Sequence, residues 1–407
     1  MNPILEEIRG EMFEIQGSSP LKIKSLETYR SANDPDLFLS FTCLGGGRII
    51  ASATGHSLEE AQLKALVETY ERRISSLPPK KPFRFKIKTL RELGYNVIHP
   101  NDYVPTDHRA LAEHGLKPVK DNKKYSWVFG TRWNGHIVLV PLEMVYYGFK
   151  HKDRIYYANS SGVAAHSDPE LAKLGAVCEL IERDAIMRSW YSQIPPKLID
   201  LKALAVNGAP NRPFDRMNYW TTKNRTLAVW QLPSLFGEVY LAVIFGDKWP
   251  HFVCGAAATI GDDSSLKTIE KAVEEAEGNF EAYSSVAPQV LEAEMVLTPE
   301  DHGLYYCAPR HEAGVSYLKP TEETHVHHPE PNPVSLDEAM KRLDATIVWL
   351  TDESAKLWVA RVLSPKVVPI SFGFMLDHFA KALEGLDPTS EQADTIKEMH
   401  SHPHFFP

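Results

Sequence analysis

Two stretches of the sequence set carboxylates where a cation could be held. "ALVETYERR" (65–73) and "AVCELIERD" (176–184) share the pattern E-x-x-E-R, with Glu68, Glu71 and Arg72 matched by Glu179, Glu182 and Arg183 at an offset of 111 residues (179 minus 68). At about 100° per residue, glutamates three apart share one flank of a helix. The same offset carries apolar positions, since Leu63, Val67, Tyr70 and Ile74 become Leu174, Cys178, Ile181 and Ala185. Each helix is therefore expected to bury that stripe and to point two carboxylates along its edge. Either run alone reads as a solvated helix surface, which is what most charge runs are. The repetition in one phase relative to the core favours a site.

If the four carboxylates converge they need neutralising, because two unit charges 4 Å apart repel by about 4 kcal/mol at an effective dielectric of 20. A divalent cation answers that need. Mg²⁺ takes hard oxygen ligands, commonly a few carboxylates together with substrate phosphates, so the spacing suits a Mg²⁺-nucleotide, with Arg72 and Arg183 available to phosphate oxygens. A third helix, "SLKTIEKAVEEAEGNFEAY", places Lys271 and Glu275 at i,i+4. On their own these two read as a surface ion pair. No G-x-x-x-x-G-K-[ST] occurs and no G-x-G-x-x-G opens a helix, so a nucleotide here is held through carboxylate-bound metal rather than a glycine cradle. Gly45, Gly46 and Gly47 fit a hairpin turn or, less simply, a phosphate loop.

The elements that must position these groups are readable from pattern. Strand-like "DLFLSFTCL" and "RIIASA" precede the first long helix, Ser57 to Ser76, and "YSWVFGTRWNGHIVLVPLEMVYY" reads as a hairpin turning at Asn134-Gly135. The second helix runs to about Trp190, and two strand-like runs in "TLAVWQLPSLFGEVYLAVIFG" lead to the third, near Ser264 to Tyr283. "TEETHVHHPEPNP" (321–333) is a polar, proline-rich loop; His325, His327 and His328 within it lack a partner at metal-ligand spacing. Ser335 and Glu338 form a capping box, with "ATIVWL" and "KLWVARVLSP" as closing strands. The fold class is α+β, built from mixed and antiparallel sheets packed with long helices and containing an internal echo.

Composition bounds the function classes. The chain has 407 residues, 43% hydrophobic and 24% charged, with a formal net charge of -9, enough for a sizeable core. No basic stripe interleaved with aromatics suggests nucleic acid. Cys43, Cys178, Cys254 and Cys307 are dispersed without C-x-x-C, which fits a reducing cytoplasm, and Cys178 is expected in the core. No apolar run approaches membrane-spanning length.

These residues resemble the YcaO family. "ASATGHSLEEAQLKALVETYERR" is similar to that family's first nucleotide motif, "NSSGVAAHSDPELAKLGAVCELIERDA" to its second and "LKTIEKAVEEA" to its third. "KLWVARVLSP" is similar to the strand before the family's C-terminal segment. The resemblance implies one YcaO-like fold in three parts: 1–85 with the first motif, a strand-rich intervening segment 86–150, and 151–407 with the second and third motifs and the tail. It implies ATP and Mg²⁺ as cofactors, with Glu68, Glu71, Glu179, Glu182 and Glu275 as metal ligands and Arg72, Arg183 and Lys271 among the nucleotide contacts. Lys271 stands where an arginine is usual, which keeps the charge and loses the bidentate fork.

The resemblance further implies an enzyme that activates backbone amides of a ribosomally made peptide. In the azole-forming branch a Cys, Ser or Thr side chain attacks the preceding carbonyl, the resulting oxygen is phosphorylated, and loss of phosphate leaves a thiazoline or oxazoline. Members of that branch end in P-x-P-x-P, whose terminal carboxylate serves as base. Here Pro403 and Pro407 fit the frame and Phe405 takes the middle position, so Pro407 is the candidate catalytic group. The cyclodehydratase subunit of microcin-type azole synthetases is the branch most similar. It implies a precursor peptide, a leader-binding partner resembling a ubiquitin-activating enzyme and a flavin-dependent azoline dehydrogenase. A thioamide- or amidine-forming relative and a non-catalytic scaffold are the alternatives.

Overall fold

The computed structural model describes residues 23–44, 49–79, 81–103, 115–147, 154–204, 211–261, 265–353, 355–372 and 402–407. In chain order its strands are β1 (Ile23–Arg30), β2 (Phe38–Leu44), β3 (Ile49–Gly55), β4 (Phe83–Lys86), β5 (Lys124–Arg132), β6 (Ile137–Pro141) and β7 (Val163–His166), then β8 (Lys197–Ile199), β9 (Arg225–Leu232), β10 (Glu238–Gly246), β11 (Phe252–Thr259), β12 (Val326–His327), β13 (Thr346–Trp349) and β14 (Trp358–Leu363). The longer helices are α1 (Leu58–Ser76), α2 (Pro169–Ser192), α3 (Arg212–Thr222), α4 (Ser265–Ser284), α5 (Pro299–Tyr306) and α6 (Leu336–Arg342). The class is α+β, as the patterns predict. Among the described residues no helix is long and apolar enough to cross a membrane. Gly45 to Gly47 lie outside the described residues.

The chain forms two compact units, one from 1–177 and 340–366, the other from 178–339 and 367–407. The first unit holds an antiparallel meander β1-β2-β3 and a second sheet ordered β4-β5-β13-β14-β7, with β6 paired to β5. The β5–β6 hairpin turns where the sequence says it must. Gly135 takes a φ of +83° there, a left-handed conformation that glycine adopts without steric cost.

Helix α1 starts at Ser57, whose side chain accepts a hydrogen bond from the Glu60 N–H at 3.1 Å. Asp168 does the same for α2, accepting from the N–H groups of Glu170 (2.8 Å) and Leu171 (3.1 Å). Both devices satisfy backbone donors that the first helical turn leaves open.

The expected stripe of α1 packs in part, Leu63, Val67 and Tyr70 lying against Ile23, Leu66 and Leu357, but it is not the deepest face. Leu63, Val67, Tyr70 and Ile74 are only partly buried, whereas Ala61, Ala65, Leu66 and Thr69 are fully buried. The reason is close approach: a Cβ on Gly55 of β3 would lie 2.7 Å from the Ala61 nitrogen, and the Thr42 and Thr69 hydroxyls meet at 2.6 Å. The small side chains of Ala61 and Thr69 permit this close approach. In α2, Leu174 and Cys178 are likewise partly buried, while Ile181 and Ala185 are buried as expected. The echo nevertheless runs through the packed positions, because Ala172 and Ala176, the counterparts of Ala61 and Ala65, are also fully buried.

The second unit is organised on a sheet ordered β11-β10-β9-β8-β12. Its pairs are antiparallel except β8–β12, which is parallel. Strand β10 is buried along almost its whole length, so it reads as a continuous apolar run rather than an alternation. Helix α4 lies on this sheet at Gly255, where an added Cβ would sit 2.2 Å from the Ala276 nitrogen and 2.6 Å from the Ala272 carbonyl oxygen. Glu277 of α4 accepts hydrogen bonds from Arg216 Nε and Trp220 Nε1 of α3, both at 2.7 Å. His325, His327 and His328 are exposed, as a solvated loop requires, and the loop lends β12 to the edge of the sheet.

Candidate active site

In the first unit the three expected residues sit on the C-terminal half of α1. Arg72 pairs with Glu68 at 2.6 Å and also donates to the Ile50 carbonyl oxygen of β3. The guanidinium is thus partly engaged by the fold that carries it. Glu71 lies on the side facing Tyr147, whose phenol is pushed well up by burial and secondarily by the charge of Glu71. The Tyr147 N–H donates to the Ser75 carbonyl at 3.1 Å, which ties that residue to the last turn of the helix.

The second unit repeats this arrangement on α2. Arg183 pairs with Glu179 at 2.8 Å, the same i,i+4 contact that joins Arg72 to Glu68. Here the pair is less exposed, at 15% for Arg183 and 24% for Glu179. One residue before the arginine, Glu182 keeps some solvent access while its carboxyl is crowded by protein atoms. Burial drives its pKa well above the usual carboxylate range, the charge of Glu275 adds to the rise, Arg183 offsets part of it, and Glu179 contributes further. Glu179, Glu182 and Glu275 are therefore brought electrostatically together, with more negative than positive charge among them.

Glu275 reaches this group from α4. Its Oε2 accepts a hydrogen bond from the Ala256 N–H of β11 at 2.7 Å, so the sheet backbone fixes the carboxylate. Lys271, one turn earlier, is exposed. The structure thus orients Glu275 by a contact with the strand, which the i,i+4 spacing did not suggest.

The donor set fits a hard divalent cation. It offers carboxylate oxygens alone, and uncompensated negative charge is what such a cation relieves. Among the described residues no three His, Cys, Asp or Glu side chains form a closed metal cage. A Mg²⁺ ion needs no such cage, since it keeps waters and substrate phosphates among its ligands.

Sequence reasoning missed two features of this unit. Asp184 is 1% exposed, accepts both Oδ contacts from Arg188 Nε at 3.0 Å, and accepts from the Val368 N–H at 2.6 Å. Its motif position beside Arg183 is the signal that was present. The second is the burial of His404 within a C-terminal segment whose Phe405 and Phe406 are the expected apolar anchors. His404, Phe405 and Phe406 are buried and Pro407 is half-buried. Histidine inside a proline-rich tail gave no sign of burial.

Comparison with known proteins bears on the family and the fold. A family model described as "YcaO cyclodehydratase, ATP-ad Mg2+-binding" matches residues 52–368. No curated protein matches the chain. Among solved structures, a heterocyclase in complex with substrate and cofactor superposes with a TM-score of 0.69 at 17% identity, covering 89% of this chain and 52% of its own. The YcaO protein from Methanopyrus kandleri, bound with AMPPCP and Mg²⁺, gives 0.61 at 16% identity over 92% of both chains. A chain of the E. coli microcin synthetase McbBCD complex with pro-MccB17 bound gives 0.65 at 14% identity, covering 97% of this chain and 100% of that one. The chain spans about half the length of the heterocyclases it matches. Because the matched region takes in both glutamate helices and the helix of Glu275, with a carboxylate set suited to Mg²⁺, the chain belongs to the YcaO family, whose cofactors are ATP and Mg²⁺.

Proposed function

We propose that the protein is an ATP-dependent cyclodehydratase that converts Cys, Ser or Thr residues of a ribosomally made precursor peptide to thiazolines or oxazolines. The observation that carries this reading is the crowded carboxylate set of the second unit, in which the Glu182 pKa is raised by burial, Glu275 and Glu179 against a single offsetting arginine. Glu179, Glu182 and Glu275, with Glu68 and Glu71 of the first unit, are assigned to Mg²⁺. Arg183, Arg72 and Lys271 are assigned to phosphate oxygens. Bound Mg²⁺-ATP supplies the phosphoryl group that makes an amide-derived oxygen a good leaving group.

The chain's own residues would hold and orient. The Ala256 N–H holds the Glu275 carboxylate, and Glu179 holds the Arg183 guanidinium at a fixed distance along α2. Fixed charges of this kind stabilise charge moving in the transition state without reorganising. In atom balance, the side-chain S or O loses its proton and bonds to the preceding carbonyl carbon, the amide nitrogen loses its proton as the C=N bond forms, and the former carbonyl oxygen leaves as phosphate. One water's worth of mass is lost from the peptide as ATP becomes ADP and phosphate.

The proposed partners are a leader-binding protein resembling a ubiquitin-activating enzyme and a flavin-dependent azoline dehydrogenase, in the cytoplasm, where the free cysteines stay reduced. The test combines the protein with Mg²⁺-ATP, a precursor peptide and the leader-binding partner. Dehydration of the peptide matched by phosphate release is the expected result. Gain of sulfur for oxygen would replace this reading by thioamidation, and a peptide left unchanged without phosphate release would leave a scaffold.

A further inference from the structure

Helix α5 presents His302, Tyr305 and Tyr306 to one short segment, residues 402–407. Tyr306 Oη donates to the Pro403 carbonyl at 2.6 Å, and His302 Nδ1 lies 2.8 Å from the His404 carbonyl oxygen, so this nitrogen carries the proton. Tyr305 Oη meets His402 Nδ1 at 2.8 Å. From the segment itself, His404 Nε2 donates to the Ser371 carbonyl at 2.8 Å. The His302 and His404 rings stack at 3.9 Å, and Phe405 packs edge-on against Phe252 of β11. His404 and Phe405 have no exposed surface. Ordering so short a segment costs conformational entropy, and these contacts offset it at nearly every residue.

The segment also touches the elements that carry proposed nucleotide residues. Burial above all, then His302, and lastly Arg183 on α2 keep His404 neutral against the contrary pull of its backbone partners. Trp190, two turns along α2 from Arg183, meets the His404 ring edge-on. Beneath, Cys254 Sγ of β11 faces the Phe405 carbonyl at 3.8 Å. Two residues further on that strand, Ala256 holds Glu275, and the Cys254 carbonyl accepts from Asn279 of α4 at 2.8 Å.

We propose that residues 402–407 form a docked strap that braces Arg183 and Glu275 for nucleotide binding, with Tyr306 and His302 as its positioning residues. This rests on the assignment of Arg183 and Glu275 to Mg²⁺-ATP. The strap touches α2 at Trp190, α5 at His302 and Tyr306, and β11 at Phe252 and Cys254, so loosening it removes a shared contact from the elements that carry Arg183 and hold Glu275. A purely structural strap would change the amount of folded protein and leave the affinity of that protein unaltered.

The test measures the Kd for Mg²⁺-ATP by calorimetry and, in parallel, the rate at which a thiol reagent labels Cys254, located by peptide mapping. Cys254 is 2% exposed, so labelling reports release of the strap above it. Tyr306→Phe and His302→Leu are each expected to speed Cys254 labelling at least tenfold and to raise the Kd about tenfold. His302→Asn, which keeps a donor near the Nδ1 position, should restore both to within about threefold of the parent. The inference is overturned if labelling accelerates while the Kd stays within twofold, or if neither variant changes labelling. Failure of the parent protein to bind Mg²⁺-ATP would instead overturn the nucleotide assignment, and this inference with it, a result readable before any variant is made.

Discussion

Replacing Glu182 by glutamine separates what the carboxylate does for the fold from what it does for the site. The side chain keeps its shape and loses its charge. Without ligand that charge is unfavourable, since burial, Glu275 and Glu179 all resist it and Arg183 offsets it only in part. Because burial already favours the neutral carboxyl, the uncharged amide fits the ligand-free site at least as well. Ligand-free Glu182→Gln should therefore be no less stable than the parent, seen as a urea midpoint that does not fall and a slope that does not change. Saturating Mg²⁺-ATP at 100 times its Kd should stabilise the parent by about 2.7 kcal/mol. The variant should gain less than about 0.5 kcal/mol under the same conditions. The order of stabilities thus reverses or closes when ligand is added. A variant that is destabilised without ligand, or that is stabilised by Mg²⁺-ATP as strongly as the parent, refutes the reasoning.

Gly255→Ala should destabilise the second unit by more than about 3 kcal/mol, because its Cβ would meet the α4 backbone at 2.2 Å and no side chain can yield; denaturant unfolding checks it. Glu277→Ala should cost about 3–5 kcal/mol by stranding the buried Arg216, whereas an Arg216→Met, Glu277→Leu double variant should recover most of that loss. His302 gives a pH dependence. Its pKa is lowered from 6.5 to about 4, first by burial. The unfolded chain therefore binds more protons between those values, and stability present above about pH 6.5 is lost as pH falls toward 4. The loss from this group is about 3 kcal/mol at about 1.4 kcal/mol per pH unit. His302→Asn should flatten the slope of stability against pH by up to one proton in that window, and an unchanged slope would contradict the assignment.

The long helices were legible in the sequence because their signals are local. Ser57 and Asp168 cap α1 and α2, and apolar periodicity carries each to its end. By sequence Arg72 and Arg183 read as available to phosphate; in the structure each pairs with the glutamate four residues earlier, a contact the i,i+4 spacing permits. The packed face of α1 was legible in part: Leu63, Val67 and Tyr70 pack against Ile23, Leu66 and Leu357, but periodicity ranks leucine and valine above alanine and so hides Ala61 and Ala65, which sit deeper, Ala61 where β3 comes close at Gly55. Strand β11, "FVCGAAAT", escaped notice since small residues lack the β-branched signature, yet its Gly255 and Ala256 place α4 and Glu275. Lys271 and Glu275 looked like partners by spacing, but a strand N–H claims the carboxylate. The two terminal phenylalanines signal an anchored tail, but its partners were illegible: His302 and His404 are 102 residues apart in sequence, and no local pattern records such a contact.

The central claim is that the carboxylate and arginine set serves ATP-driven ring formation in a peptide. It is tested most directly by incubating the protein with Mg²⁺-ATP, a precursor peptide containing one modifiable cysteine, and the leader-binding partner, while following peptide mass and free phosphate together. The account predicts one phosphate released for each peptide that loses one water, with both signals abolished in Glu182→Gln. Dehydrated peptide formed without phosphate release, or both signals surviving within a few-fold in Glu182→Gln, would contradict it.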